Sequence, residues 1–134
     1  MLIDRDVSLQ ARLETYFADY ANVVLQKDWI RIFLLSAFDD PVIAQRYTTM
    51  LRRRIFEPIL AEQLHELGKA EIKDATNREI ALEMIWGFHS TFFYIGIRQW
   101  VFKVPPKIAL SAMMKDRIAA FLAGLRGFLA TVAS

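Results

Sequence analysis

The chain contains no cysteine, and that one absence removes disulfides, zinc–thiolate sites and thiol nucleophiles together. Histidine is nearly as scarce. His65 and His89 are the only two, they lie far apart in sequence, and neither belongs to an H-E-x-x-H pattern. With five glycines and four prolines in 134 residues, there is no glycine-rich phosphate loop, no G-x-S-x-G elbow and no proline-rich linker. A formal charge of +2 is too small to argue for nucleic acid. The one dense basic run, Arg52, Arg53 and Arg54, points in three directions on a helix, as a solvated face does. No secretory leader is visible, because Asp4, Arg5 and Asp6 stand where its apolar segment would begin. A cytoplasmic location is therefore expected.

Long apolar runs are also missing, with one near exception. Met84 to Ile97, "MIWGFHSTFFYIGI", is 14 residues without a formal charge. That falls short of the ~20 needed to cross a bilayer, and Glu79, Glu83 and Arg98 bound it, so it belongs in a protein interior or interface rather than a membrane. Hydrophobic residues at 54% against 24% charged describe a folding chain, long enough for one domain with a real core and without staples.

The apolar spacing is helical throughout, and no segment alternates as a strand would, so an all-α bundle of five to six helices is expected. From about Ser8, the residues Leu9, Leu13, Tyr16, Phe17, Tyr20 and Val24 form one stripe. "QKD" breaks it, and a shorter helix runs from Trp29 to about Phe38. Asp40 is placed to cap the next helix and Pro41 to sit at its first position. That helix continues to about Leu67, with a kink expected near Ile55 to Pro58 and Gly68 as its C-terminal stop. "TNRE" matches a capping box, with Thr76 at the cap and Glu79 reaching back, opening a helix to about Phe102. After the "VPP" break, Pro106 is expected to begin a last helix ending near Val132.

At 100° per residue, the helix holding the uncharged run is apolar on most of its circumference, with a narrow polar sector around Glu83 and Ser90. Such a helix must be covered on more than one side. The last helix has a core stripe of Leu110, Met114, Ile118, Phe121, Leu125 and Phe128. On another side it carries Ala112, Ala119, Ala120, Ala123, Gly124, Gly127 and Ala130. Small residues let helix backbones approach closely, although an alanine-rich solvated face has the same composition. The interface reading pairs the last two helices with their copies in a second chain, a four-helix homodimer contact in which Phe93, Gly96 and Trp100 take part. Gly87 and Gly96 are then points of close approach.

Chemistry is sparse. "EQLH" puts Glu62 and His65 at the spacing of carboxylate-bridged di-iron bundles, but such a site needs two of these motifs and two further glutamates. The polar neighbours suggest that this helix face is exposed. No catalytic residue, metal or cofactor is expected. His89 admits two readings: a core or interface histidine bonded to a neighbouring helix, or an orienting group in an apolar ligand pocket. In the second reading Tyr16, Tyr20, Trp29, Phe33, Tyr47, Met50, Phe88 and Phe92 supply the walls and hydroxyls.

The order of features, a long helix, a short one with "WIRIFLL", "DDP" opening a helix with "RRIFEPIL", the "LGKAEIKDATNREIA" turn, an aromatic helix and an Ala/Leu helix, resembles the C-terminal regulatory domain of TetR-family transcriptional repressors. The likeness spans about Leu9 to Leu129, with Glu57 and Pro58 in the kinked helix and the turn around Gly68 and Asp74 as its most specific points. It implies a small apolar or amphipathic ligand among the helices, dimerisation through the last two, and control of DNA through an N-terminal helix-turn-helix domain. These 134 residues have no room for that domain, so a fragment of a longer regulator is the expectation. A ligand-free helical dimerisation or scaffold module is the alternative.

Overall fold

The structure is a computed structural model describing residues 4–134, and every regular element among them is helical. The elements are α1 (Leu9–Val23), α2 (Lys27–Asp39), α3 (Val42–Leu51), a π-helical turn (Arg52–Phe56), α4 (Glu57–Glu66), α5 (Ala75–Trp100) and α6 (Leu110–Val132). Because α3, the π turn and α4 form one continuous rod, the domain has five helical rods.

Ser8 caps α1, its Oγ accepting from the Ala11 amide at 3.2 Å. Leu9, Leu13, Phe17 and Tyr20 form its buried stripe, and the helix packs against α6. Gln26 donates from Nε2 to the Ala21 carbonyl, tightening the turn, and α2 starts at Lys27, two residues before the expected Trp29. The Asp40 carboxylate accepts from the Val42 amide at 3.0 Å.

The expected proline break takes the form of the π turn. Pro58 has no N–H to offer the Arg54 carbonyl, and the ladder widens ahead of it, with the Glu57 amide reaching five residues back to Arg52. Gly68 closes α4 at φ +66° as a Schellman motif: the Lys69 amide bonds the Leu64 carbonyl at 2.9 Å and the Gly68 amide bonds that of His65 at 3.0 Å.

Pro41 is the N-cap of α3 rather than its first residue, and two further starts differ from the sequence expectation. Asp74, not Thr76, caps α5, accepting from the Asn77 amide at 2.9 Å, while Glu79 reaches across to Arg52 at 2.6 Å instead of back to the cap. A charged partner on another helix outcompetes the local box. At the other break, Pro106 lies in the connection, and α6 starts at Leu110 behind Ala109, with no side-chain cap.

α5 is the axle of the domain, contacting α2, α4 and α6. By length and composition α5 alone among the described helices is apolar enough to span a bilayer. Ala81, Leu82, Ile85, His89, Phe92, Ile95 and Gly96 are nonetheless buried within the domain, as in a core helix. Gly96, expected at the dimer contact, is buried against its own chain. A Cβ there would sit 3.0 Å from Ile30 Cδ1 and 3.1 Å from Leu25 Cδ2, so it is the close approach of α5 to the α1–α2 corner. Trp100 is likewise used inside the chain, its indole N–H donating to the Leu25 carbonyl at 2.8 Å. Gly87, by contrast, has open space around it.

Candidate functional site

His89 is 3% exposed, near the middle of α5. Its Nε2 shares a 2.8 Å hydrogen bond with the Tyr16 hydroxyl on α1. Phe17, Tyr20 and Phe56 pack around the imidazole with centroids 5.5, 4.8 and 5.3 Å away. Burial pushes its pKa down from the usual 6.5 to about 4, so the ring is neutral at physiological pH. Burial likewise raises the pKa of Tyr16, Tyr20 and Tyr47, keeping all three phenols protonated.

A partly open cavity of about 170 Å³ lies beside His89, lined by Tyr20 from α1, Phe33 from α2, Tyr47, Thr48 and Leu51 from α3, and Trp86, His89, Ser90 and Phe93 from α5. Its aromatic walls hold one another. Phe33 makes edge-to-face contacts with Tyr47 (5.3 Å) and Phe93 (5.6 Å), and Trp29 stacks on Phe33 at 5.0 Å from behind. The Tyr20 and Tyr47 side chains interact with each other at the same wall.

Of the nine residues expected to bind a ligand, Tyr20, Phe33, Tyr47 and His89 meet at this cavity. Tyr16 and Trp29 stand one layer behind, bracing His89 and Phe33. Phe88 and Phe92 turn to the opposite side of α5, where Phe92 stacks on Phe17 and Phe88 on Phe121, each at 4.1 Å. Met50 is half-buried against the core rather than in the wall. Phe93, expected at the dimer contact, lines the cavity instead. Trp86, Thr48, Leu51 and Ser90 had not been expected there. The helical projection held the signal for the first, since Trp86, His89 and Phe93 share a sector, and Thr48 and Leu51 fall within one turn of Tyr47.

Other hollows are wetter. A groove of about 600 Å³ along α4 and the 69–72 loop is lined by charged side chains, among them Arg53, Lys69, Glu71 and the ion-paired Glu57 and Arg78. It has the character of a solvent groove despite its size. "EQLH" makes no joint site: Glu62 is buried against Arg5 and Arg12, whereas His65 is exposed, and among the described residues no three potential ligands meet. In the Arg52–Arg54 run, Arg52 pairs with Glu57 and Glu79, while Arg53 and Arg54 are exposed.

The small residues expected at the dimer contact, Ala112, Ala119, Ala120, Ala123, Gly124 and Gly127, are all exposed on α6. On α5 the exposed face carries Gly87, Ser90, Thr91 and Tyr94. Arg126 of α6 approaches Glu66 of α4 at 3.8 Å.

The neutrality of His89 has a measurable consequence. Its folded pKa lies below its unfolded value, so stability is fully present above pH 6.5 and declines as pH falls towards 4. Unfolding free energy is expected to be roughly 2 kcal/mol lower at pH 5 than at pH 7 from this group. His89→Gln, which does not titrate, should flatten that part of a urea-denaturation pH series.

Comparison with protein-family models, with curated proteins and with solved structures finds no match.

Proposed function

We propose that the chain is a dimeric, small-molecule-sensing regulatory domain of a TetR-like transcriptional regulator, cytoplasmic, acting on a DNA-binding domain outside these residues. The observation that carries this reading is the aromatic cavity drawn from α1, α2, α3 and α5, with neutral His89 in its wall. An occupant of a cavity built by four helices favours one spacing of them over another, a population shift that needs no chemistry. α5 supplies both the cavity residues His89 and Phe93 and, on its exposed side, Gly87, Ser90, Thr91 and Tyr94. A change in its position is therefore passed to the face that, with the small residues of α6, would meet a second copy.

The order of helices resembling that family supports the same reading, and the small exposed side chains of α6 suit close helix–helix approach. Light scattering at tens of micromolar should give about twice the 15.5 kDa of one chain. Ala123→Arg, at an exposed position in this chain, is expected to halve that mass while the helical circular dichroism of the fold is kept. A wild-type protein that is monomeric under those conditions removes the dimer from the proposal.

A second reading, a helical scaffold module, is favoured by the exposed apolar residues Ile32, Leu35 and Phe38 on the outer side of α2, which suit a protein partner. Under that reading the cavity stays empty, and no small molecule raises the melting temperature.

A further inference from the structure

We infer that the cavity beside His89 selects a small, neutral aromatic molecule carrying one hydrogen-bonding group, the class of phenols and indoles. The inference rests on the sensing reading above and narrows it to a ligand class.

Size sets the first limit. At about 170 Å³ the space is far below that of a drug-sized pocket, whereas an apolar cavity of roughly 150 Å³ is known to accept a benzene ring. One ring or a fused pair fits, and a long acyl chain would leave most of its length outside the opening, in water.

Charge sets the second limit. None of the nine lining residues is Asp, Glu, Lys or Arg. An ionised ligand would lose its hydration without gaining a counter-charge, at a cost of several kcal/mol. Two formal charges, Arg52 and Glu83, line an adjoining cleft that shares Thr48 and Trp86, and Arg52 is already engaged by Glu57 and Glu79. The imidazole is kept neutral by burial, so it offers no cation to a carboxylate.

The walls set the third. Phe33, Tyr47 and Phe93 already meet edge to face, and a further ring extends that arrangement in a way an aliphatic body cannot. Polar atoms are few: His89 Nε2 is bonded to Tyr16 and the Tyr20 and Tyr47 hydroxyls engage each other, and the remaining donor or acceptor position of one phenol hydroxyl is enough to partner one ligand O–H or N–H.

The test follows the indole N–H signals of Trp86 and Trp100 in the ¹⁵N-labelled 134-residue chain. Trp86 lines the cavity, and Trp100 sits at the far end of α5, bonded to Leu25. p-Cresol and indole are expected to shift the Trp86 signal with dissociation constants on the order of 0.1–1 mM while leaving Trp100 nearly still. Benzoate and benzylammonium, of similar size, should bind at least ~tenfold more weakly. Tyr47→Phe should weaken p-cresol about three- to tenfold and leave toluene unchanged. Ser90→Phe, which fills the exposed rim without touching the core, should weaken every probe.

If benzoate, benzylammonium or decanoate shifts Trp86 at concentrations as low as p-cresol does, the ligand class is overturned while the sensing site stands. If no probe shifts Trp86, both the class and the site reading fail.

Discussion

Phe92→Ala is expected to lower the unfolding free energy by about 4 kcal/mol, among the largest effects open to a single substitution in this chain. Phe92 is fully buried at the point where α1, α5 and α6 converge. Its ring stacks on Phe17 at 4.1 Å and meets Phe88 edge-on at 5.2 Å, and Phe88 in turn stacks on Phe121 of α6. Truncation to alanine therefore loses the transfer energy of one aromatic side chain and two ring–ring contacts, and leaves a hole that three long helices cannot close without moving. Phe102→Ala provides the contrast, since that ring is 55% exposed beyond the end of α5, and a change of less than about 0.5 kcal/mol is expected. Urea unfolding followed by circular dichroism measures both. A Phe92→Ala loss below about 1 kcal/mol would show that the stack is peripheral and that α5 is not the axle of the domain.

The stack also separates the two sides of α5. Towards α1 and α6 the helix presents Phe88 and Phe92 to a filled core, and towards α2 and α3 it presents Trp86, His89 and Phe93 to the cavity. The helical period makes these two sectors legible in the sequence, because it depends only on local spacing. Which neighbour covers each sector is not local information. Gly96 and Trp100 look the same whether they meet a second chain or the α1–α2 corner, and their partners Ile30 and Leu25 lie more than sixty residues away. The stop at Gly68 and the break before Pro58 were readable because each follows from one residue's own backbone chemistry. The capping box at Thr76 misled because Glu79 has a better partner in Arg52, contributed by a different rod.

Glu62 shows the same limit. Among polar neighbours it suggests a solvent-facing residue, yet its carboxylate is buried between Arg12 on α1 and Arg5 in the segment preceding α1. Oε2 accepts from Arg12 Nη1 at 3.0 Å, and Oε1 accepts from Arg5 Nη2 at 3.0 Å. The two arginines are not equivalent. Arg12 is 4% exposed, so Glu62→Ala takes a carboxylate away from a buried guanidinium and is expected to cost ~3 kcal/mol at pH 7. Arg5 is more than half exposed, and Arg5→Ala should shift the urea midpoint only slightly. The double variant Arg12→Met/Glu62→Leu, which replaces both charges with apolar volume, should recover most of the loss.

Acid separates this network from His89. Hydrogen bonding from Arg5, opposed by burial and reinforced by Arg12, holds the Glu62 carboxyl below its ordinary 4.5. Its contribution is therefore complete above pH 4.5 and is lost as pH falls through the lower folded value. His89 acts earlier, between pH 6.5 and about 4. Wild type should thus lose stability in two successive stages on acidification: His89→Gln should erase the upper one, and the Arg12→Met/Glu62→Leu pair should shrink the lower, which Glu79, held down by its hydrogen bond from Arg52, shares. A double variant that retains the whole of the loss below pH 4.5 would place that titration on other carboxylates and remove Glu62 as the link between α1 and α4.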